Sequence, residues 1–374
     1  MPIRQGLIWG DWRSQLKHSI TKLDELKQWV EVSEQEEQAI AASKGKYRWR
    51  ITPYYASLMD KTDPTCPIRQ QAVPQLEEFV PYPGASVDPV GDTHYRKTNR
   101  VVHKYPDRCI MLVTDDCAVY CRHCTRKYHT TDVGGTYFER SEALSWEADF
   151  DYIASHPEIR DVLLTGGDPL TYDDLRLEFI ISRLREIPHV EIVRIGSRYP
   201  VLLPQRITDE LCQMLEKYHP IWLNTHFNHP KEITPEAAAA CDRLLRHGIP
   251  VQNQTVLLKG INDDTETMRA LCTGLLKIRV RPYYLYHCDN VTGVSHFATS
   301  IEKGREIMNN LKGYTTGFAV PEYILTTELG KVPLHEQKVV QTAPSEYIVE
   351  NYERKVLHWP PVEAEELAVP SPTA

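Results

Sequence analysis

Six short apolar runs, separated by stretches with helical periodicity, constrain the fold of this chain more than any other feature. The runs cover residues 110–114, 162–165, 190–195, 221–225, 254–258 and 281–286. Strands that alternate with helices pair in parallel, because a parallel neighbour can be reached only through a long crossover connection. The alternation therefore predicts an α/β fold, either a partial (β/α)6 barrel or a doubly wound parallel sheet.

Cap residues support the helices between these strands. Thr171 and Thr208 precede helical patterns as N-caps, and Thr234 does so with Pro235 at the first helical position. Gly248 follows the third of these helices, where a left-handed residue commonly ends a helix. The three predicted helices connect successive strands of the predicted sheet.

Unusual polar residues follow strand after strand, at the point where each strand ends. Because the active site of a β/α barrel is built from loops at the carboxyl ends of the strands, this placement favours the barrel. The residues concerned are Cys117, Gly166 to Pro169, Ser197 with Arg198, His226, and Cys288 with Asp289.

Four segments are predicted along the 374 residues. Residues 1–95 form a helical extension, which includes one amphipathic helix over residues 14–30. Residues 96–300 form the barrel, residues 301–358 form a C-terminal segment, and residues 359–374 form a Pro- and Glu-rich flexible tail.

Composition excludes several classes of function. The net charge of −8, without a basic block, disfavours nucleic acid as a partner. No run of eighteen apolar residues is present, so we expect no membrane-spanning helix. The nine cysteines are unevenly spaced, which is not typical of a disulfide framework and favours a cytoplasmic location.

Cys117, Cys121 and Cys124 form a C-x3-C-x2-C motif. Three thiolates can hold iron or zinc, but structural zinc prefers two C-x2-C pairs, and an ordinary ferredoxin cluster has a fourth cysteine. A zinc site that includes His123, or cysteines packed as small apolar residues, are the alternatives. We favour a [4Fe–4S] cluster with one iron left open.

This spacing resembles the cysteine motif of the radical S-adenosylmethionine (SAM) superfamily. The resemblance implies that S-adenosyl-L-methionine binds the open iron, and that Gly166, Gly167 and Asp168 form the turn that receives its methionine moiety. Glycines there allow close approach of the backbone.

The resemblance extends to the lysine 2,3-aminomutase family, from about residue 8 to about residue 335. It implies a partial (β/α)6 barrel, a [4Fe–4S] cluster, S-adenosyl-L-methionine and pyridoxal 5′-phosphate. It also implies a free amino acid substrate and a one-electron reductant of the flavodoxin or ferredoxin type, and it leaves room for a homo-oligomer. The matching segments are Trp9-Gly-Asp-Trp12, Ile51-Thr-Pro-Tyr-Tyr55, Tyr105-Pro-Asp-Arg108, Cys117 to Arg126, Gly196-Ser-Arg198, Leu223 to Pro230, Asn253-Gln-Thr-Val256 and Arg279 to Tyr284.

Site residues follow from the same resemblance. Lys331 would carry pyridoxal phosphate, and Lys104, Tyr105 and Arg108 would hold its phosphate group. His226 and Gln254 match positions near the cosubstrate or the cofactor.

Two further residues match substrate contacts. Arg126 would bind the α-carboxylate, since a guanidinium matches a carboxylate with two parallel hydrogen bonds. Asp289 would bind the distal ammonium of a cationic substrate. Lysine-specific members have a second acidic residue before the cofactor lysine, whereas this chain has Thr326 near that position and Glu328 two residues further on.

The predicted activity is an isomerase reaction that moves the α-amino group of L-lysine to the β-carbon. Arginine, glutamate or a lysine of elongation factor P are alternative substrates. A non-catalytic iron–sulfur or zinc protein is the alternative from another class, but such a protein needs neither the Gly-Gly-Asp-Pro turn nor the Gly330-Lys331-Val-Pro segment.

Overall fold

A computed structural model describes residues 6–131, 145–334, 339–343, 346–351 and 353–359 of the chain. Its main sheet has nine strands in sequential order, β1 to β9. Strands β2 to β8 are parallel, and β1 and β9 are antiparallel to their neighbours at the two edges. The strands are β1 Val101–Tyr105, β2 Arg108–Thr114, β3 Asp161–Gly166, β4 Ile192–Gly196, β5 Ile221–Thr225, β6 Val251–Leu257, β7 Arg281–His287, β8 Glu322–Thr327 and β9 Gly330–Pro333.

The predicted fold class is confirmed, because the six predicted runs correspond to strands β2 to β7. A doubly wound sheet reverses its strand order at a switch point, whereas this order is sequential throughout. The parallel strand β8 was not predicted. Its sequence, Glu-Tyr-Ile-Leu-Thr-Thr, is a short apolar run with polar ends, and periodicity alone cannot assign such a run.

Helices between the strands bury one apolar face in the same core cluster as the sheet. The helices are α1 Trp12–Lys17, α2 Leu23–Leu26, α3 Glu34–Ser43, α4 Pro53–Ser57, α5 Pro67–Gln70, α6 Lys127–Thr131, α7 Glu147–Ala154, α8 Asp174–Arg185, α9 Tyr199–Leu202, α10 Asp209–Glu216, α11 Pro235–Arg246, α12 Thr265–Lys277 and α13 Ile301–Leu311. A separate three-stranded sheet contains β10 Val339–Ala343, β11 Glu346–Glu350 and β12 Val356–Trp359.

Two of the three predicted caps are confirmed. The hydroxyl groups of Thr208 and Thr234 accept hydrogen bonds from backbone N–H groups in the first turns of α10 and α11. Gly248 follows α11 with a φ of +69°. The prediction for Thr171 is wrong, because α8 starts at Asp174 and its cap is the carboxylate of Asp173.

The single helix predicted over residues 14–30 is also wrong. The segment contains the two short helices α1 and α2, and Ile20 between them pairs with Ile51 through two backbone hydrogen bonds of 2.8 and 3.0 Å. This tertiary pairing competes with helical bonding and breaks the helix, although Ile20 remains fully buried as predicted from its apolar face.

Among the described residues, none of the helices is long and apolar enough to cross a membrane. The predicted tail after residue 359 lies outside the described part of the chain. The boundaries at residues 95, 300 and 358 stay predictions.

Candidate active site

The loops after β2 and β3 meet at the carboxyl end of the sheet. The backbone N–H of Gly167 donates to the carbonyl of Thr114 over 2.6 Å, and that of Asp168 donates to the carbonyl of Asp116 over 2.8 Å. A Cβ atom on Gly166, which has a φ of +120°, would lie 2.5 Å from the oxygen of Thr114, and one on Gly167 would overlap the oxygen of Asp116. Only glycine therefore allows this turn to lie against the start of the cysteine loop.

The carboxylate of Asp168 connects this turn to the loop after β4. It accepts hydrogen bonds from the hydroxyl group of Ser197 and from the backbone N–H of Arg198, each over 2.7 Å. Burial raises the pKa of Asp168 to about 6, although these hydrogen bonds act in the opposite direction. Asp168 thus positions two loops.

The thiols of Cys117, Cys121 and Cys124 lie close enough to act on one another electrostatically. Burial raises the pKa of Cys117 well above its usual value, and neighbouring acidic groups, which include the other two thiols, raise it further. Burial and the thiol of Cys121 raise the pKa of Cys124 to about 11. Neighbouring thiols that oppose the ionisation of Cys117 and Cys124 in this way fit a site whose positive metal ions would offset the thiolate charges.

A single metal ion fits this arrangement less well. The ligands of one zinc ion all lie within about 2.3 Å of it, so they must converge closely. In the residues that the structure describes, no group of three or more His, Cys, Asp or Glu side chains converges to hold an ion. A cluster has no such requirement, because each cysteine binds a different iron.

Arg198 extends from the loop after β4 to the cysteine loop. Its Nη1 donates to the Sγ of Cys121 over 2.8 Å, while its Nη2 donates to Glu232 over 2.7 Å and to Gln71 over 2.5 Å. The sequence singled out Arg198 only as a polar residue that follows a strand, and it predicted no role for this side chain. Its contact with a cysteine sulfur, and the buried carboxylate that balances its charge, could not be read from the sequence.

Glu78 belongs to the N-terminal extension and was missed entirely. Its carboxylate accepts hydrogen bonds from Arg122 Nε over 2.9 Å and from Lys127 Nζ over 2.6 Å, and all three side chains are fully buried. The two cations hold the pKa of Glu78 down at about 2, against the opposing effect of burial. Because Arg122 lies between Cys121 and Cys124, this ion triad fixes the cysteine loop.

Arg126 and Asp289 lie near each other on the same side of the site. The Nε of Arg126 donates to Asp92 over 2.7 Å, and its two terminal amino groups have no partner among the described residues. Asp289 accepts from the hydroxyl group of Thr125 over 2.5 Å, but its Oδ1 is buried without a hydrogen-bond partner in the same part of the chain. Burial raises the pKa of Asp289 to about 6.

Lys331 lies on edge strand β9. Its backbone N–H donates to the hydroxyl group of Tyr105 over 3.0 Å, and its Nζ lies 4.8 Å from the ring centre of Tyr284 and 5.5 Å from that of Tyr286. The side chain keeps contact with solvent. Desolvation of the ammonium group by the surrounding protein lowers the pKa of Lys331 to about 8, and three nearby arginines, which include Arg108, act in the same direction.

The residues predicted to hold a phosphate group are adjacent to Lys331 but differ in their contacts. The guanidinium of Arg108 lies 4.0 Å from the ring centre of Tyr105 and forms an exposed ion pair with Asp107. Lys104 instead donates two hydrogen bonds to backbone carbonyl oxygens, at Val90 over 2.7 Å and at Thr327 over 2.6 Å.

His226 follows the carboxyl end of β5 and lies beside Gln254, which is in the middle of β6. Desolvation of the ring, followed by the charge of Arg198, lowers the pKa of His226 to about 4, against a hydrogen bond with the backbone of Gln254. His226 is therefore neutral at pH 7. The cluster cysteines, the turn at Gly166 to Asp168, Arg126, His226 and Asp289 thus follow the carboxyl ends of parallel strands, whereas Lys104, Tyr105 and Arg108 lie where β1 meets the amino end of β2.

Comparisons with known proteins give the family of the chain. Residues 111–272 match the model of the Radical SAM superfamily, which gives the class of enzyme. An L-lysine 2,3-aminomutase of Fusobacterium nucleatum is 46% identical over 92% of this chain and 81% of that protein. A glutamate 2,3-aminomutase of Clostridioides difficile is 44% identical over 93% of this chain and 82% of that protein. The chain belongs to the 2,3-aminomutase family of radical SAM enzymes.

A solved radical SAM methyltransferase from Sphaerobacter thermophilus is 17% identical, with a TM-score of 0.42 over 60% of this chain and 68% of that chain.

Membership of the aminomutase family makes the chain an isomerase. The radical SAM class brings with it a [4Fe–4S] cluster and S-adenosyl-L-methionine.

Proposed function

We propose that this enzyme moves the α-amino group of a free cationic amino acid, L-lysine in the first place, to the β-carbon. The observation that carries the proposal is the buried Oδ1 of Asp289, which has no hydrogen-bond partner among the described residues. A buried carboxylate oxygen without a partner is costly. The ammonium group of a substrate side chain would remove that cost.

Arg126 provides the complementary contact at the other end of the substrate. Because Asp92 binds only its Nε, the two terminal amino groups are available to a carboxylate. A fork of two parallel hydrogen bonds fixes both the position and the orientation of an α-carboxylate. A substrate held at its carboxylate and at its distal ammonium presents one β-hydrogen to the radical source, which is the positioning that this chemistry needs.

Cys117, Cys121 and Cys124 would hold the [4Fe–4S] cluster and leave its fourth iron to S-adenosyl-L-methionine. Support comes from the mutual proximity of the three thiols and from the turn at Gly166 and Gly167, which packs against the start of the cysteine loop where a side chain would collide. Asp168 holds that turn. The neutral ring of His226, just after β5, and the amide of Gln254, on β6, would contact the cosubstrate or the cofactor.

Lys331 would carry pyridoxal 5′-phosphate. Its lowered pKa of about 8 leaves a useful fraction of neutral amine near pH 7, and Arg108, which contributes to this shift, suits an anionic phosphate. Tyr105 and Arg108 would bind the phosphate group, with Lys104 beside them. When bound, pyridoxal phosphate supplies a conjugated system that stabilises an unpaired electron next to the migrating nitrogen.

The choice between cationic substrates depends on the second acidic position. Thr326 pairs with Lys331 across β8 and β9, and Glu328 is exposed in the turn between these strands. Asp289 would therefore act as the main anionic contact. Arginine satisfies this requirement as well as lysine does, whereas glutamate would place a carboxylate beside Asp289 and is disfavoured.

The test is anaerobic incubation of the reconstituted enzyme with S-adenosyl-L-methionine, pyridoxal phosphate and a one-electron reductant, over a panel of substrates. The panel contains lysine, arginine, glutamate, a neutral amino acid and elongation factor P. We expect β-lysine as the main product from the wild type and at least tenfold less from Asp289→Asn. A β-amino acid formed from glutamate instead would refute the cationic substrate.

A further inference from the structure

The two edges of the main sheet, β1 and β9, come together without backbone pairing in the part of the chain that the structure describes. Two neighbouring side chains of β1 join them instead. Tyr105 accepts the backbone N–H of Lys331 over 3.0 Å, and Lys104 donates to the carbonyl of Thr327 over 2.6 Å. Both contacts are on the β8–β9 hairpin, which carries Lys331.

The ammonium group of Lys104 has its donors occupied. A lysine has three N–H donors. One donates to Thr327, another donates to the carbonyl of Val90 over 2.7 Å, and the ring centre of Tyr95 lies 5.3 Å from the nitrogen. A phosphate group could bind Lys104 only by displacing charge-assisted hydrogen bonds to carbonyl oxygens, which are about twice as strong as neutral ones.

The charges around Lys104 also oppose an anionic ligand. The carboxylates of Asp92, Asp88 and Asp289 all act electrostatically on Lys104, and the guanidinium of Arg126 is the one cation that acts in the opposite direction among the charges named. Asp88 fixes their loop through hydrogen bonds from the backbone N–H groups of Asp92 and Thr93, over 2.9 and 2.8 Å. A phosphate brought to this ammonium would approach three negative charges.

The loop that contains Val90 packs directly on the β8–β9 hairpin. Gly91 has a φ of +71°, and a Cβ atom on it would lie 3.2 Å from the Cβ of Glu328 in the hairpin turn. Lys104 therefore lies where three segments meet: the edge strand β1, the loop around Val90, and the hairpin. Its hydrogen bonds hold the loop around Val90 and the hairpin to strand β1.

We propose that Lys104 is a positioning residue that fixes the β8–β9 hairpin, and with it Lys331, rather than a ligand of the cofactor phosphate. Arg108 differs in this respect, because among the described residues its ion pair is with Asp107 at the surface, and a phosphate can replace such an exposed partner. The statement about the phosphate rests on the proposed assignment of pyridoxal phosphate to Lys331. The statement about the hairpin does not.

The first experiment is hydrogen–deuterium exchange in the cofactor-free protein. Lys104→Met should accelerate exchange of the amides in residues 322–333 about tenfold or more, because a hydrogen bond to a charged group contributes about 1.5–3 kcal/mol. Lys97→Met is the matched control, since Lys97 is exposed just before β1 and its side chain makes no hydrogen bond with the residues that the structure describes. Unchanged exchange in a folded Lys104→Met protein would overturn the proposal. If Lys104→Met does not fold, Lys104→Gln is measured in its place.

The second experiment compares the affinities of pyridoxal phosphate and pyridoxal, which lacks the phosphate, by absorption and by borohydride trapping. Lys104→Met should weaken both by the same factor, whereas Arg108→Met should weaken pyridoxal phosphate alone. A loss confined to pyridoxal phosphate in Lys104→Met would make Lys104 a phosphate ligand. Failure of the wild type to bind either compound would refute the proposed cofactor, while the exchange experiment would still decide the role of Lys104.

Discussion

Replacement of Glu78 by Gln should reveal how strongly the N-terminal extension holds the cysteine loop. The substitution keeps the volume of the side chain but leaves Arg122 and Lys127 buried without a negative partner. Loss of one partner of a buried ion pair costs about 3–5 kcal/mol. The displacement of the pKa of Glu78 from 4.5 to about 2 gives a similar value of about 3 kcal/mol, at about 1.4 kcal/mol for each pKa unit. We therefore expect the variant to lose about 3 kcal/mol of unfolding free energy at pH 7.

The sign of the pH dependence follows from the depressed pKa. The stabilisation by Glu78 is present above its unfolded pKa of 4.5 and is lost as the pH falls towards 2. The difference between wild type and variant should therefore shrink to about 1 kcal/mol near pH 3.

Urea unfolding of the cofactor-free protein, followed by tryptophan fluorescence, measures both quantities. Glu77→Gln is the matched control, because Glu77 is the exposed neighbour in the same short helix and should change stability by less than about 0.5 kcal/mol. Equal stability of Glu78→Gln and Glu77→Gln at pH 7, or a difference that does not depend on pH, would refute this reasoning.

Other substitutions test the rest of the site. Lys331→Ala should abolish the pyridoxyl label that borohydride attaches to the wild type, as read by mass spectrometry of the peptide. Asp289→Asn should raise KM for lysine at least tenfold, and kcat/KM of the wild type should fall below about pH 6 as Asp289 takes up a proton, whereas the variant should lack this fall. Gly167→Ala should weaken binding of S-adenosyl-L-methionine because its Cβ overlaps the carbonyl of Asp116, while Gly10→Ala, which meets no atom within 4 Å, should not.

Local patterns in the sequence were sufficient to predict the strands at the centre of the fold. Strands β2 to β7 and the caps Thr208 and Thr234 were predicted because short-range periodicity and turn chemistry determine them. The helix predicted over residues 14–30 failed where a tertiary contact, Ile20 with Ile51, prevailed over local preference.

The site was predicted through motifs, but the contacts that organise it were not. Lys104 and Thr327 are 223 residues apart in sequence, and Glu78 lies 49 residues from Lys127. No periodicity relates such pairs, because they form only when the barrel brings its edges and its N-terminal extension together. Motifs therefore supplied the candidate ligand-binding residues, whereas the ion pairs and backbone contacts behind them required the structure.

The central claim is that three cysteines leave one iron of the cluster to S-adenosyl-L-methionine. Electron–nuclear double resonance of the reduced protein, with the cosubstrate labelled by ¹⁵N at its amino group, tests it most directly. We predict a ¹⁵N coupling to the cluster that disappears when Cys121 is replaced by Ala. A cluster signal without this coupling, and unaltered by the cosubstrate, would contradict the claim.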